Sequence, residues 1–198
     1  AIQSRLRGGL SEEIALRKAK EAGAFSGATM RPNLVRMLDA LGFPTMLDVP
    51  SSNALWGKAA DKLHATSVVP HAAFRSGNPF AGSFIDILAS PMFRRSFEED
   101  FVPSLASLPR SARFVALGPT PLEALDWCAE RGHLDKEQVM GALAHPSSNG
   151  GSQVNVYLGE KSGDTLSPSD PVRHRLEWLN AAFRRMRESC QTQTGRGA

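Results

Sequence analysis

The sequence is short of most features that announce a chemistry at sight. It has two cysteines, Cys128 and Cys190, far apart in the chain. That number and spacing exclude a disulfide framework, a cysteine zinc site and a four-cysteine iron–sulfur cluster. There is no G-x-x-x-x-G-K-[S/T] phosphate loop and no G-x-S-x-G nucleophile elbow, which sets aside two large classes of α/β enzyme. No apolar run is long enough to span a bilayer, and the opening residues, AIQSRLRGGL, lack the apolar core of a secretory signal. Nor is there a large excess of one charge: 23 Lys and Arg against 20 Asp and Glu leave a net charge of +3. Such a balance permits an anionic partner without requiring one. The expectation is a soluble, intracellular, cytoplasmic protein with no membrane segment.

What is there reads as an ordinary core-forming chain. Its 198 residues are 41% hydrophobic, enough for one domain over 1–189, followed by a disordered tail at 190–198. LSEEIALRKAKEAGAF reads as a helix capped by Ser11 and stopped by Gly23. RPNLVRMLDALGF is a second helix, with Leu34, Leu38 and Leu41 on one face and Gly42 as its stop. TMLDV is a weak strand candidate, and NALWGKAADK reads as a helix. LHATSVV, rich in β-branched residues and closed by Pro70, reads as a strand. The stretch from Pro70 to Pro91 carries Gly77, Pro79 and Gly82 and reads as a long working loop. FRRSFEEDFVPSLASL has helical spacing broken by Pro103. ARFVALG is the clearest buried strand, PLEALDWCAERG a helix, and VMGALA the strand that delivers His145. SQVNVYLGEK reads as an edge strand or an extended loop. SDPVRHRLEWLNAAFRRMRE is the clearest helix, capped by Asp170, with Pro171 in its first turn. Its stripe is Val172, Leu176, Leu179, Phe183 and Met186, and its arginines read as a solvated face.

Strands that alternate with helices predict an α/β fold: a three-layer α/β/α sandwich around a small, mainly parallel sheet. Sites in such folds lie at the carboxyl ends of the strands. There stands the run ALAHPSSNGG, residues 142–151. On its own, a His in this setting is a loop residue with a satisfied hydrogen bond, followed by turn formers. Taken together, a neutral His145 can donate an N–H to an oxygen gaining negative charge. Ser147, Ser148 and Asn149, with nearby backbone N–H groups, can hold a phosphate that glycines let approach.

HPS after a strand, with ARFVALGPTPLEAL upstream, resembles the uracil-DNA glycosylase superfamily. The resemblance extends to LHATSVVPHAAF and to GAFSGATMRPNLVRMLDALGF, covering roughly residues 23 to 158. It implies a base-flipping hydrolase that acts on DNA as a monomer and needs no metal or cofactor. By that likeness His145 stabilises charge on the departing base, while Ser147, Ser148 and Asn149 clamp a phosphate. Phe25 or Phe80 stacks on the base. Thr66 falls where many branches carry an Asn that reads the base edge, and Asn78 or Asn53 is the candidate to substitute from a loop. Arg75, in the Gly/Pro loop, is the leading DNA contact. Arg94, Arg95 and Arg113 are further candidates for phosphate contact. His64 and His71 fit no zinc spacing.

One part of the family pattern is missing. The Gly- and Pro-containing motif that ends the first strand, with its water-positioning residue, is not visible. Three expectations compete. The motif lies close to or before residue 1; or TMLDV fills its place with Asp48 facing the site; or the chain has lost the chemistry and only binds nucleic acid or a nucleotide.

Overall fold

The computed structural model describes residues 25–71, 73–75, 77–147 and 150–195. The predicted helix at LSEEIALRKAKEAGAF lies almost wholly outside them. Contacts divide the chain into two compact units. The first takes in the described residues up to Ala65, with Pro146 and Ser147. The second takes in Thr66–His145 and Gly150 onward.

In the first unit α1 spans Met30–Ala40 and buries Leu34, Met37 and Leu38. Leu41 is buried just beyond it, so the apolar face read from the sequence is the packed one. TMLDV forms no strand. Its first residues finish a short helix, α2, over Phe43–Leu47, which ends on Asp48 in a left-handed conformation. Asp48 is exposed in that turn, so this stretch does not supply the missing first strand. NALWGKAADK splits into two 3-10 stretches, Ser52–Trp56 and Ala60–Lys62. The loop before the first is tied back to α1: Asp39 accepts from Ser51 Oγ and from the Ser52 amide, both at 2.8 Å. Asn33 Nδ2 donates to the Pro146 carbonyl at 2.9 Å.

The second unit mixes helix and strand. LHATSVV forms no strand there: residues 63–69 are irregular, and Val68 and Val69 pack against the apolar cluster. A β-branched run becomes a strand only with a hydrogen-bonding neighbour, and none stands beside it among the described residues. A two-residue hairpin follows, β1 (Phe74–Arg75) antiparallel to β2 (Asn78–Pro79). Next come α3 (Phe84–Ala89) and α4 (Pro91–Ser96). A π-helical turn at Phe97–Phe101 leads into α5 (Val102–Ala106). Pro103 does not break the helix, contrary to the expectation. It has no N–H to offer the preceding turn, and the π-turn just before it widens the helix where that bond would fall.

Strand β3 (Phe114–Leu117), helix α6 (Pro119–Glu130) and strand β4 (Val139–Leu143) make a βαβ unit. The strands pair in parallel, Ala116 beside Ala142 and Leu117 beside Leu143. Every residue of β4 is buried. The Gly118 amide donates to the Leu143 carbonyl at 3.0 Å, so the Leu143 carbonyl faces β3. Backbone direction alternates along a strand, so the Met140 and Ala142 carbonyls face away. Two side chains cap them: Ser189 Oγ at 2.7 Å and Tyr157 Oη at 3.0 Å. That edge of β4 is sealed without another strand. The outward edge of β3, at Val115 and Leu117, has no strand beside it among the described residues.

SQVNVYLGEK is neither an edge strand nor a loop but a short helix, α7 (Gln153–Tyr157). Gln153, Val154, Val156 and Tyr157 are buried while Asn155 is exposed, a spacing that puts the buried residues on one helical face. After a 3-10 turn at Pro171–Arg175 comes α8 (Leu176–Gly195). The helix runs on through Gly195 rather than ending in a disordered tail at 190. Cys190 is buried one turn beyond Met186, and its packing carries the helix forward. The arginines of α8 are not merely solvated: Arg185 grips Asp126 through two hydrogen bonds, and Arg187 lies over the Phe183 ring.

Candidate functional site

Strand β4 is wholly buried, as is Ala144, and His145 is the first exposed residue at its carboxyl end. His145 surfaces between two buried neighbours, Ala144 and Pro146. Although the ring reaches solvent, flanking protein desolvates it and the Arg175 charge opposes protonation. Both hold its pKa below the ordinary imidazole value. Near neutral pH the ring is therefore a hydrogen-bond donor that carries no charge.

The chain after His145 is held by a polar clamp that the sequence reading did not find. Gly150 and Gly151 bring it back into the second unit. A Cβ on Gly151 would stand 2.7 Å from Asp170 Oδ1, and its φ is +63°. Only glycine allows both the approach and the left-handed turn. Gln153, itself buried, occupies the space beside Gly150. Ser152 accepts from Lys161 Nζ at 2.9 Å and hydrogen-bonds Asp170. Asp170 also accepts from the Val172 amide at 3.0 Å, capping the Pro171–Arg175 turn. These bonds, with Lys161 nearby, hold the Asp170 carboxyl below the usual carboxylate range. Arg175 ends the turn, exposed and without a salt bridge among the described residues.

The other expected site residues are scattered. Thr66 is exposed in irregular chain, with no strand end beneath it. Arg75 and Asn78 are register partners in the β1–β2 hairpin, and Arg75 reaches Asp86 at 3.5 Å. Phe80 packs its ring on Phe93 with centroids 4.5 Å apart, so much of that face is spent on the core. Phe25 belongs to the first unit, sits at φ +58° and meets Trp56 edge-on. Asn53 is exposed in the first 3-10 stretch. Ser147 is half-buried in the first unit, while Ser148 and Asn149 lie outside the described residues. Arg94, Arg95 and Arg113 have internal partners in Glu98, Glu99 and Gln193. His71 pairs with Asp100. Among the described residues no group of His, Cys, Asp and Glu is placed to hold a metal ion, and no helix is long and apolar enough to cross a membrane.

A shallow hollow of about 370 Å³ is lined by Arg110, Arg113, Asp135, Lys136, Glu137 and Gln138. It opens at the amino ends of β3 and β4, opposite His145. Its charges are of both signs and Arg113 is engaged with backbone carbonyls, so it offers a ligand no single complementary field.

The chain is similar to an uncharacterized protein, YoxB, from Bacillus subtilis (strain 168). The two are 28% identical over 161 residues, covering 81% of this chain and 62% of YoxB. The match thus spans less than two thirds of that relative's length. No family model matches the chain, and no solved structure matches it significantly.

Proposed function

We propose that this protein is a DNA N-glycosylase-like hydrolase, a divergent member of the uracil-DNA glycosylase superfamily. Its fold on this reading is the three-layer α/β/α sandwich, with β3 and β4 as two strands of a mainly parallel sheet. One observation carries the reading. A buried parallel strand ends in His145, which its surroundings keep uncharged, at the end of the sheet where such folds bind ligands. The HPS resemblance then supplies the chemistry.

In the reaction a deaminated base leaves the duplex for a pocket. The bond between C1′ and the base nitrogen breaks, and its electron pair goes to the base. His145 donates an N–H to the base oxygen that gains the charge. Water adds to C1′ and gives up a proton, leaving an abasic sugar and the free base. A neutral imidazole suits that role because it keeps its proton while stabilising the anion. Phe25 or Phe80 stacks on the base, Thr66 or Asn78 contacts its edge, and Ser147, Ser148, Asn149 and Arg75 hold the DNA backbone.

A second reading is a relative that binds nucleic acid or a nucleotide without cleaving it. It is favoured by the outer edge of β3, which has no strand beside it among the described residues.

Strand cleavage separates them. Labelled oligonucleotides carrying one uracil, hypoxanthine or xanthine are incubated with the protein and treated with alkali. Cleavage at one of these bases is expected, reduced about 10²–10³-fold in His145→Ala. Salt-sensitive DNA binding without cleavage would select the second reading. Neither binding nor cleavage would refute both.

A further inference from the structure

We propose that a hollow on the second unit binds the end of a primary alkylammonium ion. The hollow measures about 270 Å³ and is lined by Glu98, Val102, Trp127 and His133. Pockets for drug-sized ligands run to about 300–1,000 Å³, so this one suits a short chain. The inference goes beyond the glycosylase reading and does not rest on it.

Two helix irregularities build the hollow. Helix α6 ends at Glu130, and Gly132, at φ +75°, turns the chain back. The Gly132 amide donates to the Ala129 carbonyl at 3.2 Å and the His133 amide to the Cys128 carbonyl at 2.9 Å. That pair of bonds closes the helix. It also lays the His133 ring beside Trp127, with centroids 5.8 Å apart and planes 14° from parallel. From the other side comes the π-helical turn at Phe97–Phe101, which buries Phe97. The Phe97 ring meets Trp127 edge-on at 5.2 Å. Glu98, the next residue, is thereby carried to the hollow. A π-turn inserts an extra residue into the helix, and such insertions recur at functional sites.

The lining selects the ligand. Trp127, His133 and Val102 give an aromatic and apolar wall on which methylene groups pack. Glu98 gives a carboxylate. Arg94 Nε donates to its Oε1 at 2.9 Å, and no donor among the described residues reaches Oε2. An ammonium N–H can take that oxygen. The last turn of α6 adds the negative pole of the helix dipole. Arg131 shows that this indole takes a cation: its Cζ lies 3.9 Å from the Trp127 ring centroid, a cation–π distance. A cation with an apolar tail therefore meets complementary charge and surface here, whereas an anion meets Glu98. The ammonium can belong to a free amine or to a lysine side chain.

The test follows the Trp127 indole N–H and the His133 ring by NMR in the full chain at about pH 8. The probes are n-butylammonium, the uncharged n-butanol and Nα-acetyl-lysinamide. Butylammonium should shift both signals saturably, and butanol should bind about threefold or more weakly. Glu98→Gln keeps the shape and removes the charge. It should weaken butylammonium about threefold or more and leave butanol unchanged, with the fold checked by circular dichroism. His133→Ala, at an exposed position, should weaken both probes. Equal affinity for butylammonium and butanol would overturn the proposal, as would an unchanged butylammonium affinity in Glu98→Gln or the absence of any shift at Trp127. A response to butylammonium alone would assign the site to free amines, and a response to acetyl-lysinamide as well would extend it to lysine side chains. None of these outcomes depends on DNA cleavage, so the glycosylase reading stands or falls separately.

Discussion

Arg185 and Asp126 meet fork to fork, Nη1 to Oδ2 at 3.0 Å and Nη2 to Oδ1 at 2.8 Å. The pair joins α8 to α6 across β4. The same arginine lays its stem over Gly141, where an added Cβ would lie 3.2 Å from Arg185 Cγ and from Met186 Sδ. One residue thus links the last helix, the βαβ helix and the strand that carries His145.

Breaking that fork should loosen the scaffold modestly. Both side chains are about a third exposed, so solvent screens the pair. Arg185→Ala is expected to cost about 1 kcal/mol by urea denaturation. Arg185→Lys should recover only part of it, because a lysine cannot bond both carboxylate oxygens in plane. A loss unchanged in high salt would mean the stem's packing, not the charge pair, matters.

Gly141→Ala should be more damaging. The residue sits at φ +141° within β4 under α8, and the helix side chains must give way to a methyl. About 1–3 kcal/mol of stability should be lost, read as a lower thermal midpoint. A midpoint equal to wild type would show that α8 packs more loosely than the contacts indicate.

The buried hydroxyl and thiols predict alkaline instability. Burial lifts the Cys128 thiol to about 12 and the Cys190 thiol to about 11, from 9.0. It also raises Tyr157 above its usual 10.0. Between those values the folded chain keeps protons that the unfolded chain has released. Stability is therefore complete below about pH 9 and declines as pH rises through the thiol range. The sole tyrosine provides the probe: tyrosinate absorbance should appear only with unfolding. Titration near 10 in the intact protein would contradict a buried Tyr157. Tyr157→Phe should cost about 1–3 kcal/mol, because the Ala142 carbonyl loses its cap.

His145 gives the acid limb. Its folded pKa lies below the free value of 6.5, so the unfolded chain binds the proton first as pH falls. Its contribution is complete above about pH 7 and is lost as pH drops through and below the free imidazole range. Denaturation midpoints from pH 8 to 5 should fall less steeply in His145→Gln. Equal slopes would place His145 in an unperturbed setting.

Some of this was legible in the chain alone. β3, α6 and β4 are bounded by Gly118, Pro119 and Gly132, and their apolar runs permit one reading. The α1 face was equally plain in Leu34, Leu38 and Leu41. TMLDV, LHATSVV and SQVNVY were misread because a short apolar run suits helix, strand or coil alike. Neighbours decide among them, and for SQVNVY the deciding neighbours were the Phe183 ring and the Ala142 carbonyl around Tyr157.

The candidate site divides the same way. His145 stood out because polar residues and glycines follow an apolar strand at once. Ser152, Lys161, Asp170 and Arg175 are separated by many residues, and no local pattern joins them. The sequence by itself determined the βαβ unit and the residue at its end, since apolar periodicity and chain breakers act over a few neighbours. Only the tertiary structure decided that Tyr157 and Ser189 seal the edge of β4 and that Asp170 lies against Gly151. Those relationships depend on where α7, α8 and the 3-10 turn come to rest, and long-range packing sets that.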